Sequence, residues 1–324
     1  MEHRSPRTAA GGLSQRQGMG ILFGVYLSFG LSPLYWNLLH GVSALEMVSH
    51  RSLWGSLIIA AFMVWKGQFP AFFRAIRDRR EIAFIGLCSL AHLWNWWIYI
   101  WAVTNGKVLE CSMGHYIVPM ISTILGFLFF RERPGRLQWM GIIFAGIGVL
   151  ILLMGYGAVP WASLNVALSA ALFAFFRKRA TVGAAPGMLM ELLFSAPFLW
   201  GYLIWLGERG EGHFLAGGAY MDLLLIGCGR AVSETPDSYL PSIMIDGVLY
   251  HLSDKGEMSG DVDPSAIQGE ITSTVPTTVF MLGAFVMREP ISASKLLVFL
   301  FIWVGVGCFL SGTVFSTGRK SSGR

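Results

Sequence analysis

Four groups of side chains have types and spacing suited to handling a small solute or a proton, and each sits in apolar sequence. Glu46 and His50 are one helical turn apart and share a face, while Arg51 lies about 140° round from Glu46. Ionisable groups inside an apolar span are costly and mark solute or ion paths. His50 is also the residue type that titrates near neutrality. The plainer alternative is a helix-bridging link that fixes packing. Asn95 and Trp96 stand in an aromatic run with Trp94, Trp97, Tyr99 and Trp101. An amide there can hydrogen-bond a solute, and an indole face can hold a flat or cationic one; an interfacial aromatic belt is the alternative. His115 and Tyr116 follow Glu110 at the start of another apolar run, and Glu191 opens a further one. Pro119 and Pro276 each remove a backbone hydrogen bond and form a candidate hinge pair, with a simple kink as the alternative.

These residues need a membrane to be buried in. Of 324 residues, 54% are hydrophobic and 13% charged, against about a quarter charged in ordinary soluble domains. Disorder, a coiled coil and a disulfide scaffold are excluded. The 4 cysteines form no CxxC pair. A helix needs about 20 apolar residues to cross hydrocarbon. Such runs are expected at 18–39, 44–65, 82–103, 111–130, 137–154, 161–176, 189–206 and 296–315. Their continuous apolarity favours helices over barrel strands. The basic N-terminal residues and a first run too long for a signal h-region are read as a retained signal-anchor.

Seventeen Lys and Arg fall in the two tails and in the links after the second, fourth and sixth runs, and four in the opposite links. The positive-inside rule then places both termini in the cytoplasm. The basic clusters are short and flank spans, so they are topology signals and no nucleic-acid partner is expected. No HExxH, GxSxG, Walker loop or metal-spaced Cys/His set occurs. The chain is therefore read as a non-enzyme, with neither cofactor nor metal, and not as an ATP-driven pump.

A repeat is visible at one offset of 157 residues. Val118-Pro119, Leu125-Gly126 and Arg131-Glu132 recur as Val275-Pro276, Leu282-Gly283 and Arg288-Glu289. Each copy is followed by a span with a Gly-x-Gly pair, Gly146/Gly148 and Gly305/Gly307. Repeats of five spans enter the membrane from opposite sides, as in secondary transporters.

The stretches Pro33-Leu34-Tyr35-Trp36, Glu46 to Trp54, Asn95 to Val103, Glu110 to Pro119, Gly187 to Glu191 and Phe301-Ile302-Trp303 together resemble the EamA branch of the drug/metabolite transporter superfamily, and within it the RarD group. The resemblance implies an all-α polytopic membrane protein of two inverted five-helix repeats in the bacterial inner membrane. It implies secondary transport of a small molecule between the two halves. Protons are a candidate coupling ion through Glu46 or His50.

The chain departs from that pattern in one place. Residues 230–274 hold 8 of its 19 acids, and a charge at the membrane centre costs about 2.5–3.5 kcal/mol on the insertion scale. The stretch Ile243 to Leu252 reads as two short strands about an Asp-Gly turn. The expected organisation is a tail at 1–17, a first repeat at 18–154, the start of the second at 158–229, a soluble β-rich insert at 230–274, the end of the second repeat at 275–315 and a tail at 316–324. The rival readings are a polytopic membrane enzyme acting on lipid-linked substrates and a chimera that inserts but moves no solute.

Overall fold

The computed structural model describes residues 24, 26–131, 134–155, 160–230, 274–291 and 293–321. The expected tails at 1–17 and 322–324 and almost all of the expected insert, with its two strands, lie outside the described residues. Among the described residues every regular element is helical. A helical turn at 26–30 leads into α1 (Ser32–Leu38). There follow α2 (Ala44–Lys66), α3 (Phe69–Ala75), α4 (Arg79–Thr104), α5 (Val108–Phe130) and α6 (Arg136–Gly155). The second half has α7 (Trp161–Arg177), α8 (Ala184–Arg209), α9 (Ala219–Gly227), α10 (Thr274–Met281, running into a π-helical stretch Leu282–Val286) and α11 (Ala293–Ser321). Four of them, α2, α4, α5 and α8, are long and apolar enough to cross a membrane.

The boundaries follow local chemistry. Ser43 caps α2 by accepting from the Glu46 amide at 3.2 Å, and Gly67 ends it at φ 64°. Asp78 caps α4 by accepting from the Arg80 amide at 2.8 Å. The link after α2 carries the short helix α3, whose Phe72 and Ala75 pack onto the cluster around Met188. One expectation is corrected. The seventh span begins at Ala184, five residues before Leu189, so Glu191 is two turns inside α8 and not at its start. Pro186 does not stop the helix because first-turn amides have no intrahelical acceptor to lose.

The packing is inside-out relative to a soluble domain. Glu46, His50, Arg51, Glu81, His92, Glu110 and Glu191 are buried, while Leu57, Val64, Leu150, Phe198, Ile204 and Phe285 are exposed. Large outward apolar faces around a polar interior suit a lipid surround. The chain is thus a polytopic helical membrane protein.

Neighbours are α2 with α8, α4 with α7 and α8, α5 with α7 and α10, α6 with α11, and α9 with α2. Small residues permit the close approaches. A Cβ on Gly114 of α5 would lie 2.8 Å from the Ser163 carbonyl of α7. At the α6–α11 contact, a Cβ on Gly148 would meet Val298 and Ile302, and one on Gly305 would meet Gly141 and Ala145. Arg131 (φ 56°) and Arg288 (φ 54°) both adopt the left-handed conformation.

Candidate functional site

Three helices place a polar chain at the centre of the bundle. Arg51 is two turns into α2, His92 lies midway along α4, and Glu191 is on α8. Arg51 Nη2 is 3.4 Å from His92 Nε2, and His92 Nδ1 is 3.3 Å from a Glu191 oxygen. A guanidinium can only donate and a carboxylate accepts, so the imidazole carries its proton on Nδ1. Ser89 donates to the Glu191 carbonyl at 2.7 Å, tying α4 to α8. The Arg51 guanidinium carbon sits 3.9 Å from the centre of the Trp96 ring, a cation–π contact. Arg51 is 3% exposed, His92 8% and Glu191 3%.

Two small clefts flank this chain. One is lined by Arg51, Ser52, Ser89, His92, Glu191 and Ser195. The other is lined by Phe29, His92, Asn95, Trp96, His115 and Phe173. The structure therefore gathers five expected residues, Arg51, Asn95, Trp96, His115 and Glu191, around one centre. It adds His92, which touches both clefts.

Glu46 faces elsewhere. Its carboxylate accepts from the His213 amide at 2.8 Å and from His213 Nδ1 at 2.9 Å, closing the loop between α8 and α9 over the start of α2. His50 Nδ1 accepts from the Trp54 indole at 3.3 Å, and its ring packs on Phe214 of that loop. Glu46 and His50 thus share a face, as their spacing demands, yet each serves the loop separately. At the opposite end of the bundle Glu81, in the first turn of α4, accepts from Thr181 N (2.9 Å), Thr181 Oγ1 (2.5 Å) and Val182 N (3.3 Å) between α7 and α8.

The remaining expected residues join helices. Asn95 donates to the Val166 carbonyl (3.1 Å) and Ser169 Oγ (3.0 Å) on α7. His115 Nδ1 donates to the Cys111 carbonyl at 2.8 Å, and its ring meets Phe29 and Tyr99. Tyr116 and Thr277 share a hydroxyl hydrogen bond of 2.7 Å between α5 and α10. Pro119 lies within α5, which continues past it, and the Pro276 carbonyl accepts from Ser112 at 2.7 Å.

His92, Glu81 and His213 do not figure among the sequence candidates. A signal for His92 was present: Ser89, His92 and Asn95 recur every third residue as a polar stripe in an apolar helix, masked by the tryptophans around it. Among the described residues no three His, Cys, Asp or Glu side chains converge as metal ligands would.

Comparison with known proteins follows the same direction. The sequence profile of the EamA-like transporter family matches residues 16–154. An uncharacterized transporter, YojE of Bacillus subtilis (strain 168), is 31% identical over 287 residues, covering 88% of this chain and 90% of its own length. Protein RarD of Salmonella typhi is 28% identical over 305 residues, 94% of this chain and 98% of its own. Protein RarD of Escherichia coli (strain K12) is 28% identical over 306 residues with the same coverage. One crystal structure shares the fold over 90% of this chain and 96% of its own, at a TM-score of 0.52 and 16% identity.

Proposed function

The chain belongs to the EamA-like transporter family and is a RarD-like, multi-pass transporter of the bacterial inner membrane; we propose that it works as a secondary-active permease for a small metabolite or drug by alternating access. The observation that carries this reading is the Arg51–His92–Glu191 chain, a buried polar centre shared by three helices. Such a centre is costly to maintain in lipid unless solute or protons use it.

In this reading the moving parts are two inverted halves, 18–154 and 158–315, with the polar segment 230–274 interrupting the second. The 157-residue offset supports it in three ways. It relates Arg131 to Arg288, the two arginines with positive φ among the described residues. It relates Gly148 to Gly305, the buried glycine of each Gly-x-Gly pair. It also exchanges their contacts, since Gly148 faces positions 298 and 302 while Gly305 faces 141 and 145. Reciprocal contacts of this kind are what a two-fold relation requires.

Glu46 on His213 closes the end we assign to the outside. Glu81 on Thr181 closes the end we assign to the cytoplasm, with both termini on that side. Asn95, Trp96 and His115 wall the solute path, Tyr116 braces α5 on α10, and Pro119 with Pro276 supplies the bend. Protons are the proposed coupling ion, with Glu46 and His50 joined by the His92–Glu191 pair as candidate carriers.

The test is reconstitution. Liposomes with and without the protein are incubated with a bacterial metabolite extract, washed, and read by mass spectrometry. Protein-dependent accumulation of particular solutes is expected, accelerated by an imposed pH gradient. No accumulation of any solute would favour the transport-inactive chimera, and a rate indifferent to the gradient would remove proton coupling alone.

A further inference from the structure

We infer that the cleft lined by Arg51, Ser89, His92 and Glu191 takes a small organic anion, a carboxylate held on the guanidinium of Arg51. This rests on the transporter reading above and adds the substrate class. Among the described residues Arg51 is a buried cation with no carboxylate in contact, and the field of Glu191 reaches it only across His92. Among the described residues its one hydrogen-bond partner is His92, reached by Nη2, and its Nε–H is buried with no partner. Trp96 covers one face of the group, and Arg51 lines the cleft beside Glu191.

The nearby acids are all engaged with other groups. Glu191 is separated from Arg51 by the imidazole of His92 and also lies in the field of Arg177. Both oxygens of Glu46 are on His213, and both oxygens of Glu81 are on the 181–182 amides. The cleft serines are likewise turned away: Ser52 and Ser195 donate to the Leu192 carbonyl, and Ser89 to that of Glu191. Arg51 is therefore the cleft's source of free N–H donors.

A guanidinium removed from water is strongly penalised unless an anion pairs with it. Its planar fork matches the two oxygens of a carboxylate in a way a single carbonyl oxygen does not. A neutral solute of the same shape would leave the cation unpaired. Phosphate, with more acceptors than one arginine can serve, would leave its own charge unpaired.

Propionate and propionamide have nearly the same size and differ in charge, so they separate these cases. The full chain, purified in detergent at constant ionic strength, is heated while tryptophan fluorescence is followed. Propionate should raise the unfolding midpoint saturably by about 2 °C or more, with propionamide and inorganic phosphate inert. Arg51→Gln should abolish the shift, and the wild-type contrast stands even if that variant does not fold. Equal shifts from propionate and propionamide, a shift from phosphate alone, or none from any probe overturns the assignment. Failure of the transport reading is seen separately, as proteoliposomes that accumulate nothing while propionate still stabilises the protein.

Discussion

The α6–α11 contact allows a prediction with an internal control, because Gly305 and Gly307 stand two residues apart on one helix and face opposite ways. Replacing either by Ala removes the same backbone freedom and gains about 0.8–1 kcal/mol of helix propensity. The surroundings differ. A Cβ at Gly305 would lie 2.9 Å from the Gly141 carbonyl oxygen and 3.3 Å from the Ala145 amide, both backbone atoms, while at Gly307 nothing lies within 4 Å. Backbone cannot swing aside as a flexible side chain does, so Gly305→Ala must push α6 and α11 apart. Overpacking of this kind costs about 1–3 kcal/mol. Propensity cancels between the two variants, and the difference between them isolates the packing cost, with Gly307→Ala the more stable. At about 2–4 °C per kcal/mol for a chain of moderate size, their midpoints should differ by roughly 2–12 °C. Thermal unfolding in detergent, read by tryptophan fluorescence, measures this directly. Gly146→Ala and Gly148→Ala repeat the test on α6 with the order reversed, Gly148 being the buried member, and with a smaller gap because its contacts are 3.3–3.4 Å. If Gly305→Ala unfolds with Gly307→Ala, the close approach of α6 to α11 is wrong, and the reciprocal contact behind the two-fold reading goes with it.

Glu46→Gln should be mild, since the His213 amide still finds an oxygen and His213 Nδ1 can change from donor to acceptor, whereas Glu46→Ala loses both contacts and should cost about 1–3 kcal/mol. Faster proteolysis within residues 210–218 of the Ala variant, and not of the Gln variant, would check this loop directly. Asn95→Ala should lower stability by only about 0.6–1.7 kcal/mol, the range for interhelical hydrogen bonds in membranes, whereas Asn95→Asp should cost more by setting a carboxylate against the Val166 carbonyl. Equal midpoints for the Ala and Asp variants would contradict that donor assignment. Glu289, outside the spans, accepts from the Val108 amide at 2.5 Å and the Leu109 amide at 3.0 Å. Burial pushes its carboxyl above the usual range, with those amides and Lys295 opposing. A raised folded value means that its contribution is complete below the ordinary carboxylate pKa and is lost as pH rises through the folded one. Glu289→Gln should therefore flatten the stability profile over the mildly acidic range, and a profile that keeps the wild-type slope would contradict the assignment.

What could be read from the sequence divides along a physical line. Spans depend on the sum of many side-chain transfer energies, so local errors average out: α2 begins at Ala44 and α7 at Trp161, where the apolar runs place them. Boundaries set by one or two residues are less legible, as at the start of α8, where Pro186 sits in the first turn and its missing amide has no acceptor to lose. Candidate site residues depend on partners, and partners are tertiary. Glu46 and Arg51 were legible as unusual because an ionisable group in an apolar run is conspicuous by itself. Nothing local says that Glu46 turns to His213, 167 residues away, while Arg51 turns to His92 on the next long helix.

The repeat shows the same division more sharply. Matching the Gly-x-Gly pairs by eye aligns Gly146 with Gly305, two residues out of register with the 157 offset shared by the proline, leucine-glycine and arginine-glutamate pairs. Burial restores the register, because Gly148 and Gly305 are the members that face the partner helix and Gly146 and Gly307 face outward. On a helix a two-residue shift turns a side chain by about 200°, from the interface to the lipid. A glycine at an interface is constrained by the helix against it, whereas one facing lipid is not. The pattern that carries the repeat is thus the pattern of buried positions, which the chain encodes only through the contacts it makes once folded.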